Sequence, residues 1–272
     1  MGGEVGFNEK FTKLRMEYDY LKEESANLIE LYNNLVTVIG PNLETQYMVV
    51  VGMLEYRVFE LTVAMRRWQR RFTLRQAAIN RGEKPNYVSI ENELDREFEE
   101  FKRKIEDGRE RSEKAADEWR RDKMSDHDMT EIRALYLNAV KRLHPDLNPT
   151  LSDGAKELWG RILEAYKGNQ WADLRFLVGL IEGVVEGGET FPNSPGGIAG
   201  LESGCERLRG VCRDVRLRTA EVKEKKPYSY QSFLLNPDEV KQRQDALREQ
   251  IAEIEGRIAE YEQTWEEECY GG

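Results

Sequence analysis

Two histidines, three cysteines and a dense scatter of carboxylates are the side chains in this 272-residue chain whose types could do chemistry. His127 sits between Asp126 and Asp128, and His144 opens the tripeptide His144-Pro145-Asp146. Neither histidine has a cysteine or a second histidine at metal-ligand spacing, so no metal site is expected. Cys205 and Cys212 would lie two helical turns apart, about 10 Å, too far for a bridge between them. They are expected to be reduced packing residues. The chain has no glycine-rich phosphate loop, no Gly-x-Ser-x-Gly turn and no paired-histidine motif, and its carboxylates fall mainly on helix flanks. The expectation is no enzyme, no catalytic residue and no cofactor. What remains is recognition chemistry at 144–146, where a rigid corner presents a charge.

The elements on either side must position that corner. Ile132, Leu135, Tyr136, Ala139, Val140 and Leu143 repeat at the spacing of one helical face, which predicts a buried stripe. Asp128 stands three residues before Glu131, a capping-box spacing that would start the helix near Met129. Pro145 disfavours helical geometry at His144, so the helix should stop there and leave Asp146 exposed. A second helix is expected to carry Leu158, Ile162, Ala165 and Tyr166 on one face.

The stretch IRALYLNAVKRLHPD at 132–146, followed by KELWGRILEAYK at 156–167, resembles the second helix, His-Pro-Asp loop and third helix of the J domain of DnaJ-like co-chaperones. A short fourth helix, 171–181, fits the same pattern. The resemblance covers roughly a fifth of the chain. It implies docking on a DnaK-type ATPase chaperone and stimulation of its ATP hydrolysis. The residues it implicates are His144, Pro145 and Asp146 at the corner, with Arg133, Tyr136, Lys141 and Arg142 on the preceding helix. Asp146 would meet a partner cation, and Pro145 would keep the corner rigid. The chain departs from the family where 120–128 lacks the usual first-helix signature, and where Leu137 and Asn138 stand at positions often basic. Those departures support the alternative of a coiled-coil adaptor with a degenerate, non-stimulating hairpin.

Composition frames the rest. A charged fraction of 34% with only eight prolines suits long amphipathic helices, and a net charge of −10 argues against nucleic acid. Arg66, Arg67, Arg70 and Arg71 form a local basic cluster, expected to be a solvated helix face, with a phosphate or acidic-partner role as the alternative. No apolar run approaches membrane-spanning length, so a soluble, cytoplasmic protein is expected. Heptads run through Phe7, Phe11, Leu14, Tyr18, Leu21, Ser25, Leu28, Tyr32, Leu35 and Ile39, and restart at Tyr47 after Gly40-Pro41-Asn42. That tripeptide is expected to stop the helix and force two antiparallel neighbours.

The fold expected is therefore all-α: an elongated helical bundle or antiparallel coiled coil with a J-domain-like hairpin inserted. Its divisions would be a bundle over 1–127, the J-like module over 128–182, a Gly/Pro-rich linker over 183–200, and a helical pair over 201–272 that packs on the bundle. The rods would bind a client or assembly protein, and the heptads could equally pair two copies as a homodimer.

Overall fold

The computed structural model describes residues 2–120, 126–184 and 190–270, with side chains over 8–120, 127–184 and 190–268. The fold is all-α, and no strand occurs among the described residues. Two expectations concern residues that lie outside these ranges: 121–125, which precede the J-like hairpin, and 185–189 of the expected linker.

The first heptad segment forms α1 (Gly2–Asn34), but the expected stop at Gly40-Pro41-Asn42 does not occur. The backbone passes through a π-helical turn (Leu35–Ile39) into α2 (Gly40–Tyr47), then through a second (Met48–Gly52) into α3 (Met53–Asn80). Proline removes an N–H and its ring crowds the carbonyl four residues back. A π turn widens the backbone at that point, and the Gly40 N–H donates to the Leu35 carbonyl five residues earlier. The Tyr228 hydroxyl donates to the same carbonyl at 2.6 Å.

The remaining helices are α4 (Tyr87–Glu97), α5 (Glu99–Arg120), α6 (Asp126–Leu143), α7 (Asp153–Lys167), α8 (Trp171–Gly179), α9 (Pro195–Glu224), the short α10 (Gln231–Leu234) and α11 (Pro237–Tyr270). The chain divides into two compact units, each discontinuous in sequence: residues 1–42 with 122–229, and 43–121 with 230–272. These cut across the consecutive divisions anticipated above. Within the expected linker, Ser194 accepts from the Gly197 N–H as an N-cap and Pro195 takes the first helical turn, so helix begins before residue 200. Gly197 is there because a Cβ would fall 1.8 Å from the Pro192 carbonyl oxygen.

In the first unit α1 and α9 run parallel. Lys10 pairs with Glu202 at 2.8 Å, Glu17 with Arg209 and Glu24 with Arg216, one ion pair per heptad at a constant offset. Tyr18, Leu21, Leu201, Cys205 and Leu208 are buried along this seam. On its other side α1 packs antiparallel to α6, whose Ile132, Tyr136, Ala139, Val140 and Leu143 are fully buried with Ile162, Ala165 and Tyr166 of α7. The stripe predicted for α6 is thus its core face. The helix starts at Asp126 rather than near Met129, so Asp128 lies inside it and is not its cap.

In the second unit α3 and α11 also run parallel, with Glu55 on Arg243, Arg57 on Glu255 and Arg75 on Glu268. Asn236 caps α11 by accepting from the Glu239 N–H, and Pro237 occupies the first turn. Trp68 and Phe72 of α3 meet Trp265 of α11 edge to face at 6.1 and 5.3 Å. Ile90 and Leu94 anchor α4 in the same core.

Two glycines of α9 test the α1–α9 seam. A Cβ at Gly204 would lie 2.7 Å from the ring of buried Tyr18, whereas one at Gly210 meets nothing within 4 Å. Alanine raises intrinsic helix stability by about 1 kcal/mol over glycine, but overpacking a filled seam costs about 1–3 kcal/mol. Gly210→Ala should therefore stabilise the protein and Gly204→Ala should destabilise it. Equal shifts in Tm for the two would refute this seam.

Candidate docking site

The corner predicted from the sequence is built from the end of α6. Pro145 ends the helix at Leu143, and the exposed carbonyls there find partners at once. The Leu147 and Asn148 N–H groups both donate to the His144 carbonyl at 3.0 Å, and the Asn148 amide donates to the Lys141 carbonyl at 3.0 Å. Leu147 itself is fully buried, pinning the far side of the turn. The backbone of 144–148 is therefore fixed by hydrogen bonds and one apolar anchor.

His144 and Asp146 have different environments. The imidazole is largely covered, with its ring edge to face against Trp159 at 5.1 Å. Its Nδ1 accepts from the Asp146 N–H at 3.2 Å, which assigns the proton of the neutral ring to Nε2. Burial pushes the imidazole below its ordinary value, and nearby Asp146 opposes that with a smaller effect. The Asp146 carboxylate stays 60% exposed, 3.9 Å from Nδ1, and its backbone carbonyl accepts from Arg207 of α9. The corner thus presents a solvated carboxylate on a rigid turn, the group needed to meet a cation.

The face expected to accompany the corner is occupied. Arg133 holds Glu30 of α1 through two bonds, 2.8 and 3.0 Å, and Glu30 is only 7% exposed. That carboxylate raises the affinity of Arg133 for its proton. Lys141 pairs with Glu23 at 2.6 Å, and Arg142 pairs with Glu182, which follows α8. Tyr136 is wholly buried, stacked on Tyr166 at 3.8 Å, and accepts at its hydroxyl from the Asn33 amide at 2.9 Å. Its hydroxyl is held strongly protonated, first by burial. Tyr136 is a core residue of the hairpin, so the docking role anticipated for its side chain is unsupported by its position.

Of the seven residues singled out from sequence, the structure brings His144, Pro145 and Asp146 together at the corner and spreads Arg133, Lys141 and Arg142 along α6 against acidic partners. Sequence reading missed Asn148, which ties off the end of α6, although an asparagine just past a helix-stopping proline is a local cue. It also missed Lys22, which donates to Asn148 at 2.8 Å, and Arg207, both from distant helices. No local pattern marks those two.

Other candidates resolve into packing. Arg67, Arg70 and Arg71 of α3 are paired with Glu91, Glu93, Asp95 and Glu97 of α4, and Arg71 also lies over the Trp68 ring at 4.1 Å. The cluster clamps one helix on another and is not the solvated face expected; Arg66 alone of the four remains exposed. Among the described residues no group of His, Cys, Asp or Glu is arranged to hold a metal, and no helix is long and apolar enough to cross a membrane.

The covered imidazole makes stability depend on pH in a defined window. The unfolded histidine titrates near the ordinary value of 6.5 and the folded one lower. The stabilisation associated with neutral His144 is therefore present above 6.5 and lost as pH falls through 6.5 toward the folded value. Urea unfolding of the protein and its His144→Gln form on either side of 6.5 should give the variant the smaller loss on acidification. Identical losses would mean the ring is not buried as described.

No family model, no curated protein and no solved structure matches the chain, so the chemistry of the corner is argued from its own residues.

Proposed function

We propose that the α6–α7 hairpin is a J-type docking module, carried on a helical scaffold, that binds a DnaK-type ATPase chaperone and stimulates its ATP hydrolysis. One observation carries this reading: a solvated Asp146 carboxylate stands on a turn whose backbone is fixed on every side. A preformed corner loses little ordering entropy when it binds, and a carboxylate can form a charge-assisted bond with a partner arginine or lysine. The protein has no reaction of its own in this reading. It acts in the cytoplasm with the chaperone, and its other helices hold a client or an assembly.

A second reading is favoured by a specific feature, the burial of Tyr136 and the intramolecular pairing of Arg133, Lys141 and Arg142. It is a helical scaffold or adaptor in which the hairpin serves only to build the core of the first unit.

Single-turnover ATP hydrolysis by a DnaK-type chaperone separates the two. Stimulation of about fivefold or more, the size of an ordinary allosteric coupling, is expected with the protein and should be lost in both His144→Gln and Asp146→Asn. The second variant changes an exposed side chain and should leave the thermal melt unaltered. A folded protein that stimulates none of several such chaperones would establish the scaffold reading instead.

A further inference from the structure

Resting on the docking reading, we infer that α1 is the resident occupant of the cationic face of α6: Glu23 and Glu30 stand where an incoming partner's carboxylates would bind, so that docking exchanges intramolecular acids for intermolecular ones. Arg133 and Lys141 lie eight residues apart on α6, about 12 Å along its axis. Glu30 and Glu23 lie seven apart on α1, which runs the opposite way. The two pairs close at 2.8 and 2.6 Å. The spacing of the acids thus matches that of the bases, as a ligand's would.

The contact works at the level of side chains and not of the whole helix. Tyr18, Leu21, Ala26 and Ile29 of α1 belong to the same buried core as Ile132, Tyr136 and Val140 of α6, so α1 has no reason to leave. Lys22 further ties α1 to the corner through Asn148. Yet Arg133 is 47% exposed and Lys141 36% exposed, so each cation keeps a side open to water from which a second carboxylate can reach it. Arg142, held by Glu182 with the acid itself 82% exposed, is the easiest of the three to exchange. The partner surface that fits is acidic, with two carboxylates about 12 Å apart and a cation placed to meet Asp146. The face is masked in the free protein and becomes available only to a partner that offers that pattern.

The pairs differ in strength, which makes the inference testable. Affinity of the full chain for a DnaK-type chaperone in its ATP state would be measured by titration for the unmodified protein, Glu23→Gln, Glu30→Gln and the double variant. Removing the exposed acid Glu23 should tighten binding by about two- to fivefold, the range of an exposed ion pair. The double variant should gain about tenfold, and adding Asp146→Asn should abolish the gain. Binding by the unmodified protein with no tightening in any glutamine variant would overturn the mask and leave the docking reading standing. Binding by the double variant alone would support the mask most directly. No binding by any form would remove the docking reading and the mask with it. Should Glu30→Gln melt early, Glu23→Gln, at a solvent-exposed pair, still decides the question.

Discussion

The carboxylate of Glu30 is the constraint around which the first unit is arranged. An ionised carboxylate withdrawn from water is destabilising by several kcal/mol unless a cation and hydrogen bonds replace its hydration. Arg133 supplies both through its planar fork, which few other side chains could do. That requirement fixes the height of α1 along α6, because a slip of one turn would strand the acid. With the register set, Asn33 reaches the Tyr136 hydroxyl and Glu23 reaches Lys141 without further adjustment. The neighbouring Tyr166 hydroxyl is buried without a protein partner, a local cost that the stacked Tyr136 and Tyr166 rings help to offset. In this way α1 serves as the helix that covers α6.

Continuity of α1 into α3 follows from a different solution to a polar problem. Gly40-Pro41 reads locally as a stop, since proline cannot continue the ordinary bonding pattern. The π turn at Leu35–Ile39 shifts the bonding by one residue, and the Tyr228 hydroxyl adds a second donor to the Leu35 carbonyl. That hydroxyl lies 193 residues away, so the sequence around position 40 holds no sign of it. Tertiary compensation for a local defect therefore carries the helix through a tripeptide that locally reads as a stop.

Similar logic separates what was legible in the chain from what was not. The apolar stripe of α6 and its stop at Pro145 depend on residues within a few positions of one another, and each stands where the pattern put it. Helix partnership does not. Heptads specify which face is apolar but not which helix meets it, and here ion pairs at a constant offset set α1 parallel to α9, while pairs without a constant offset accompany the parallel α3 and α11. The glycines at 196, 197 and 200 suggested a linker, but Ser194-Pro195 is a stronger local instruction because it satisfies the first helical donors. At the site, the corner residues were legible and the groups that hold them were not: Arg207 and Lys22 arrive from helices more than 60 residues away in sequence.

Corner and face are held by forces of different kinds, and this bears on how the site can act. Backbone bonds from Leu147 and Asn148 and the buried Leu147 side chain hold the corner, and salt does not screen these. The face is held by ion pairs. Lys141–Glu23 is exposed enough to contribute no more than about 1 kcal/mol, whereas Glu30 is nearly enclosed and cannot lose Arg133 without being left buried and uncompensated. A partner approaching this surface therefore meets a rigid corner, two loosely held cations, Arg142 and Lys141, and one firmly held cation, Arg133. Exchange therefore begins at Arg142 and Lys141, next to the corner in sequence, and comes last at Arg133, where a new acid must reach the exposed side of the guanidinium before Glu30 gives it up. Such an order would place the first charge contact beside Asp146, where the turn needs no rearrangement to receive it.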